Sequence, residues 1–559
     1  MPTLTAHLSV TAPAPTIDRS APWRRAALLL AGAWAAYGLL AMLLLSPRVP
    51  YADPYRFLAR LCREPFPANV LASDNGHREV LPNLVRLAEL HWLHANQWLQ
   101  IGLGVVLAVV VAALAARATR GLAAGPRAAA LAVLAVGLFW LGNGRKLAHG
   151  NESVHLFLVL AFLLLGLQRL AAASPDRRAS AAAAALALLA TFSFGSGLAC
   201  FPAFAVVLWL RRAPLAAYGP LGGGAALALL GIWSADTRGA SLAGSLADRA
   251  DLLLRWIGAP SAWAFSPLLD PAHAARQPFA WLRAVLEPVA GAASDAFGPH
   301  LAARWPALAF GALAALWLLA ASLWCRRRPA NAVEVLALGV AWFGVAVGGL
   351  VIALRTSYFH AHPEQITTQR YVPWSMLVWT GLGVAASARA TRPRLAIGAA
   401  LGFAALLAPS QVWTTRYAWK QRDVAERTAV AAAVGVLDAG FALEETEEAD
   451  LRTALPLLRD RGAAMFAWPE VPFLLQPLPS TAVPVAIAGV AVRPVENRLG
   501  AAGCEVEFEA AAPGAQRLLL AAADGIVRGL AIRRPLTDRW FGVVRGSLDA
   551  AEARAAMLR

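Results

Sequence analysis

Apolar residues along this chain come in runs of about 17 to 25 positions, separated by short polar links; Ala26–Leu45, Ile101–Ala116 and Leu308–Trp324 are examples. A helix rises about 1.5 Å per residue, so such runs reach across a hydrocarbon core of about 30 Å. The pattern predicts about eleven spans, at 25–45, 98–116, 126–141, 152–170, 181–193, 197–210, 214–234, 305–324, 332–354, 372–388 and 395–409. Thirty residues from 181 to 210 are too long for one straight span. Their centre, Thr191-Phe-Ser-Phe-Gly-Ser-Gly-Leu with Pro202 beyond it, breaks a helix. A hairpin that goes out and returns is the reading. Broken backbone at membrane depth is tolerated only where protein or water lines it, so the break is expected to face a cavity.

Beyond about 410 the character changes. Residues 411–480 read as helical and mixed, with periodicity over 420–440, an acidic cluster at Glu444–Asp450 and a Leu-rich helix at Leu451–Arg461. From 481 to 559 the period becomes two, as in half-buried strands. Strands are expected at Val483–Val492, Cys504–Glu509, Arg517–Ala522, Ile526–Arg533 and Trp540–Arg545. The fold class is therefore an α-helical polytopic membrane protein with a small C-terminal α+β domain ending in an antiparallel β module.

Composition agrees: 58% of residues are hydrophobic and 15% charged, against about a quarter charged in soluble domains. The net charge of +16 is unevenly placed. Residues 410–559 hold 17 Lys/Arg and 18 Asp/Glu, and the rest hold 33 and 16. The basic residues sit in short links between apolar runs, which excludes a nucleic-acid partner and suits membrane orientation. The links carry Arg117, Arg120 and Arg127; Arg169, Arg177 and Arg178; Arg211 and Arg212; Arg326–Arg328; and Arg389, Arg392 and Arg394. Eleven crossings put all of them on the side of Arg24 and Arg25. The N-terminus, with a disordered tail at 1–22, is then cytoplasmic at a bacterial inner membrane, and the C-terminal domain is extracytoplasmic. The first apolar run is longer than a signal-peptide core and reads as a retained helix.

Four outside loops follow, at about 46–97, 142–151, 235–304 and 355–371. The third carries two amphipathic stretches, Asp248–Ile257 and Pro278–Val289, that suit helices lying in the interface. No internal repeat is visible, and repeats are common in transporters. The four cysteines show no metal-ligand spacing; Cys62 and Cys504 both fall outside, as a disulfide or as two unrelated thiols.

The first outside loop holds the densest chemistry. It contains Asp53, then Ser73-Asp-Asn-Gly-His-Arg-Glu, then a helical pattern in which Leu81, Leu84, Val85, Ala88 and Trp92 share a face. Asp74, His77 and Arg78 would stand at that helix's N-terminal end, where amide donors favour an anion such as phosphate. The plainer alternative is that Asp74 caps the helix and His77 and Arg78 are solvated. Arg145, Lys146, Arg355 and Arg370 are basic residues in outside links, beside helix ends; an anionic lipid head group would explain them. Glu152 begins a span and would be costly facing lipid, so it is expected to turn to a polar cavity with His149. A divalent metal on His149, Glu152 and His155 is left open. Loop four adds His360, His362, Glu364 and Tyr371, the last as an interfacial anchor.

Several short pieces together resemble polytopic bacterial membrane proteins with a glycosyltransferase C-type fold. They are Asn75-Gly-His-Arg with Pro82 and the helix after it, Phe192-Ser-Phe-Gly-Ser-Gly-Leu with Pro202, Gln369-Arg-Tyr-Val-Pro-Trp-Ser, and the Leu-rich segment Ala454–Phe466. The resemblance implies a polyprenyl-phosphate-linked sugar donor and a glycan, lipid or protein acceptor. An acidic residue of the first outside loop would act as general base, and cations would hold the lipid phosphate. It assigns the base to Asp53 or Asp74. Arg78, Lys146, Arg355 and Arg370 would grip phosphate, with Tyr371 beside them, and His77 would orient the base or the donor. Such proteins often carry adjacent acidic residues early in this loop, where Asp53 is flanked by Ala and Pro. A transporter or flippase of a lipid-linked intermediate and a non-catalytic envelope protein are the competing readings. Spans made mostly of Ala, Leu, Val and Gly favour an enzyme at the membrane face.

Overall fold

The computed structural model describes residues 20–558 except 75–76, 172–174, 234–244, 278, 329–330, 438–445, 496–499 and 535–536, with backbone alone at 145, 151 and 299–303. The tail to residue 19, Asn75, the start of the acidic cluster and the Arg145 side chain lie outside the described residues.

The chain opens with α1 (Ala21–Leu45), then α2 (Pro54–Arg63), α3 (Ala68–Leu71) and α4 (Val80–Leu93) in the first loop. The apolar helices α5 (Trp98–Ala118) and α6 (Ala124–Phe139) lead through the single turn α7 (Gly144–Leu147) into α8 (Gly150–Leu170). Next come α9 (Arg177–Thr191), a 3-10 turn at Gly195–Ala199, α10 (Cys200–Leu210) and α11 (Gly219–Trp233). The series continues with α12 (Leu246–Leu269), α13 (Pro271–Ala275), α14 (Ala280–Phe297), α15 (Pro299–Arg327), α16 (Ala332–Ala361), α17 (Val372–Arg389) and α18 (Pro393–Val434), and α19 (Glu448–Asp460) precedes the sheet. Each predicted span falls on one of these helices. Among the described residues, eight helices are long and apolar enough to cross a membrane, which makes this an integral membrane protein.

The break after α9 is where the glycines place it, and the chain does go out and return. Arg211, just past α10, hydrogen-bonds the carbonyl of Ala171, just before α9. At the other end of the pair, the Phe192 carbonyl accepts from the Leu81 amide of α4 at 3.2 Å. The basic links gather at the Arg211 end. Gln168 Nε2 donates to Leu114 O at 3.0 Å, and Arg212 Nε donates to Arg326 O at 2.8 Å. Arg389 pairs with Glu334, and Gly125 packs against Pro393.

Two expectations change. The stretch Asp248–Ile257 begins a 24-residue helix packed inside the bundle. Trp256 is fully buried and donates to Gly344 O at 3.2 Å. Where α12 crosses α15, a methyl group on Gly258 would overlap the Ala307 carbonyl, and one on Gly311 the Leu254 carbonyl. Such close backbone approach supplies the packing that lipid cannot. In α14, by contrast, Trp281 and Val285 stay exposed, as on a helix lying at an interface. The second change is α18. The span at 395–409 and the helix at 420–440 are one helix of 42 residues, about 63 Å long at 1.5 Å per residue. It ends at Gly435, whose φ of 81° gives the left-handed stop.

The C-terminal domain is an antiparallel sheet of β1 (Val483–Val485), β2 (Ile487–Val495), β3 (Gly503–Ala510), β4 (Arg517–Ala521), β5 (Val527–Arg533), β6 (Arg539–Arg545) and β7 (Arg554–Met557), in the order β1-β7-β4-β5-β6-β3-β2. The strand expected at 483–492 is thus two, and β7 had no alternating signal. β1 and β2 adjoin in sequence yet occupy opposite ends of the order, so the sheet curls until its edges approach. Leu518, Leu520, Trp540 and Val544 fill the inside of the curl. Leu519, Leu530, Phe541 and Val543 face outward into a second core shared with α18, α19 and α2. Both faces are covered, which is why β4 and β6 read as near-continuous apolar runs rather than alternating ones.

Replacing Gly258 or Gly311 by Leu is expected to cost about 1–3 kcal/mol by overpacking the α12–α15 crossing. Thermal denaturation of the detergent-purified protein should show a lowered Tm for either variant. Gly402→Leu, at a glycine with open space around it, should leave Tm nearly unchanged.

Candidate functional site

The end of the bundle opposite the basic links is closed by the first loop and the C-terminal segment. Arg56 and Arg60 are one turn apart on α2, so both guanidiniums project from one face. Arg56 holds Asp74 with two bonds, Nε to Oδ1 at 2.7 Å and Nη2 to Oδ2 at 2.9 Å. Arg60 adds a third at 3.3 Å. Arg56 also reaches Asp53 at 3.2 Å and, from α19, Asp450 at 3.3 Å. Three carboxylates therefore share two guanidiniums. Their side chains differ in openness: Asp53 is 44% exposed, Asp450 16% and Asp74 12%. Burial pushes the Asp450 carboxyl up; Arg56 opposes that, and Glu447, Asp53 and Asp74 add to it.

Asp74 does not cap α4. Its amide and carbonyl pair with those of His77, both at 2.8 Å, ahead of the helix. Arg78 donates to the Leu71 carbonyl at 3.2 Å. The face of α4 marked by the apolar pattern is not the buried one. Leu84 and Trp92 are exposed, whereas Asn83, Arg86 and Glu89 are buried. Arg86 donates to Glu79 at 2.9 Å and to Asn83 at 2.5 Å, lies 2.5 Å from Nε2 of His155 on α8, and covers the Phe57 ring at 3.9 Å. Burial raises the Glu79 carboxyl, but His155 and Arg86 outweigh it and hold the group well below the ordinary carboxylate range. Glu89 instead accepts from the Leu99 amide at 2.8 Å at the start of α5, where the helix dipole favours a carboxylate.

The broken segment between α9 and α10 supplies the centre of the site. Phe194 stacks on His155 at 5.4 Å and on Trp374 of α17 at 6.1 Å, and lies 4.9 Å from the His77 ring. The Lys146 ammonium stands 5.2 Å from the same ring and is paired with Glu152. A methyl group on Gly195 would overlap Nδ1 of His77, so the glycine that breaks the helix also admits the imidazole. Burial pushes His77 down, with Glu79 opposing, Arg355 reinforcing, Asp74 opposing and His155 reinforcing. His77 thus feels both the acidic group at Asp74 and the cation at Arg355.

Arg355 sits at a kink in α16 (φ −131°, ψ 23°), and the helix continues to Ala361 where a loop was expected. Its Nη1 donates to the Tyr371 hydroxyl at 3.1 Å. Arg370 lies 4.8 Å over the Tyr371 ring and 3.5 Å from the Tyr358 hydroxyl, and its buried Nε has no hydrogen-bond partner among the described residues. Tyr371 is buried between Trp256 and Phe359, so it is a support for two arginines rather than an interfacial anchor.

Sequence reasoning reached Asp53, Asp74, His77, Lys146, Glu152, Arg355, Arg370 and Tyr371, and the structure brings them to this end of the bundle. Glu152 faces Lys146, and His149 packs edge-on to Tyr51 at 5.3 Å. Among the described residues no three His, Cys, Asp or Glu side chains converge as metal ligands; His155 is engaged by Glu79 and Arg86. Sequence reasoning missed Asp450, Glu79, Arg86 and the role of Phe194. The signal for Arg86 was present: Glu79, Asn83 and Arg86 recur at helical spacing on one face.

Arg86→Ala would strand Glu79 in a buried site and is expected to cost about 3–5 kcal/mol. Chemical denaturation should show the loss, and Glu79→Gln in the same chain should recover part of it. Because His77 is buried with a lowered pKa, the unfolded chain takes up its proton first as pH falls. Its contribution is fully present above about 6.5 and declines below that value. The pH dependence of Tm should be shallower over that range in His77→Asn than in the wild type.

No protein-family model and no curated protein sequence matches this chain, so the geometry of these residues is what bears on its function.

Proposed function

We propose that this protein is a membrane glycosyltransferase that moves a sugar from a polyprenyl-phosphate donor to an extracytoplasmic glycan, lipid or protein acceptor. One observation carries this reading: three carboxylates gathered on Arg56 and a pair of tyrosine-supported arginines occupy the same end of the bundle, with His77 in electrostatic reach of both. Inverting sugar transfer needs these two kinds of group together, a base for the acceptor hydroxyl and cations for the departing phosphate.

In this proposal Asp53, the most open of the three carboxylates, takes the acceptor's proton. The acceptor oxygen then attacks the anomeric carbon. The bond from that carbon to the phosphate oxygen breaks, and its electron pair leaves with the phosphate, inverting the centre. Asp74 is committed to Arg56 through both oxygens and positions the group. Arg355 and Arg370 offer forked donors to the phosphate. Lys146 joins the grip only by leaving Glu152, so its main part is to support Phe194. The proposed topology has eleven crossings, with α9, α10 and α17 added to the eight longer helices. The N-terminus is then in the cytoplasm of a bacterial inner membrane, and the sheet lies outside.

Full-length protein in vesicles, given radiolabelled polyprenyl-phosphate sugars and envelope extract, is expected to transfer label. Asp53→Asn should lower the rate by roughly 10²–10⁴-fold. Arg370→Gln should chiefly raise KM for the donor. No transfer by the wild type, or an Asp53→Asn rate equal to it, would refute the reading. Lipid scrambling by the same vesicles without label transfer would identify a flippase instead.

A further inference from the structure

A cavity of about 500 Å³ lies at the basic end of the bundle, far along the helices from the carboxylates and His77. It sits between α6, α15, α17 and the start of α18, and its volume is within the range of about 300–1,000 Å³ typical of small-molecule sites. Its walls are apolar, with Trp317, Trp379 and Phe403 among them. On the α15 side the neighbouring Leu313, Leu316 and Leu319 are all exposed. In an integral membrane protein that exposed apolar surface faces lipid, so the groove opens sideways into the bilayer.

Its mouth is cationic. Arg389 and Arg392 line it, and Arg394 follows in the first turn of α18. Arg389 is held in place by Glu334 and lies 3.6 Å over the Trp324 ring. Arg392 and Arg394 are exposed. Three guanidiniums against one carboxylate leave two positive charges at the rim. An apolar slot with a cationic rim at the end of a membrane bundle has the chemistry of a phospholipid: acyl chain inside, anionic head at the arginines.

We propose that this groove is a binding site for an anionic phospholipid, with one acyl chain between Trp317, Trp379 and Phe403 and the phosphate at Arg389 and Arg392. The site is independent of the sugar-transfer reading, because it shares no residue with it. A zwitterionic lipid would fill the slot equally well but would gain nothing net from the rim, so head-group charge sets the preference.

The test is native mass spectrometry of the full-length protein released from detergent. It is titrated in parallel with phosphatidylglycerol and with phosphatidylcholine of the same acyl chains. Phosphatidylglycerol should be retained at several-fold lower concentration. Arg392→Gln with Arg394→Gln, both at exposed positions, should reduce that preference by roughly five-fold per charge removed. Ala399→Trp fills the groove from an exposed position on α18 and should abolish the tightest adduct. The label-transfer rate and the lipid-free Tm should stay near wild type in these variants. Equal retention of the two lipids overturns the proposal, as does an adduct unchanged by Ala399→Trp. A dimer that disappears with Ala399→Trp would show that the groove receives a second copy of the chain, which also overturns it.

Discussion

A charged group inside an apolar bundle is tolerated only with a partner, because desolvation costs several kcal/mol per ion. That constraint organises the end of this molecule where its chemistry lies. Arg86 on α4 finds Glu79 beside it and His155 on α8, and so fastens the first loop to the helices beneath. Arg56 on α2 finds Asp74 in the same loop and Asp450 on α19, and so fastens that loop to the C-terminal segment. Lys146 and Glu152 close a third pair across the start of α8. The first two reach across the chain, from Arg86 to His155 and from Arg56 to Asp450, while the third closes a local turn. Together they turn three separate regions into one surface.

The remaining architecture holds that surface in place. The long helix α18 runs from the basic links, past Trp140 and Leu141, into the core of the C-terminal domain. The curled sheet buries one face in itself and the other against α18, α19 and α2, so the domain is packed onto the first loop rather than tethered to it. A direct backbone bond from the Ala464 amide to the His94 carbonyl, at 2.6 Å, and a hydrogen bond from the Arg461 guanidinium to the Cys62 carbonyl, at 2.8 Å, reinforce the same seam. Asp450 reaches the carboxylate group only because of this seam.

Within the bundle the decisive feature is the break at 192–199. A continuous helix there would keep its backbone bonds but could not turn Phe194 toward His77, His155, Lys146 and Trp374. Gly195 removes the side chain that would collide with His77. The same residues that interrupt the helix therefore build the aromatic centre of the site, and the Phe192 carbonyl freed by the break is taken by the Leu81 amide.

The sequence by itself determined the features governed by local pattern. Apolar runs marked the eight helices long enough to cross a membrane together with α9, α10 and α17, Gly195 and Gly197 marked the break, and the arginine links marked one end of the bundle. Strand-like runs marked every strand but β7, with strict period-two alternation in β3, and the carboxylates and cations of the links between helices were legible as candidates. Tertiary structure alone decided which way α4 faces. The apolar side of Leu84 and Trp92 invited burial, but Arg86 needed Glu79 and His155 more, and a lone helix cannot express that preference. It also decided that Asp450 joins Asp53 and Asp74, that Tyr371 carries two arginines, and that β7 completes the sheet. These depend on partners tens to hundreds of residues away, and the pairing of distant groups leaves no period in the sequence to read.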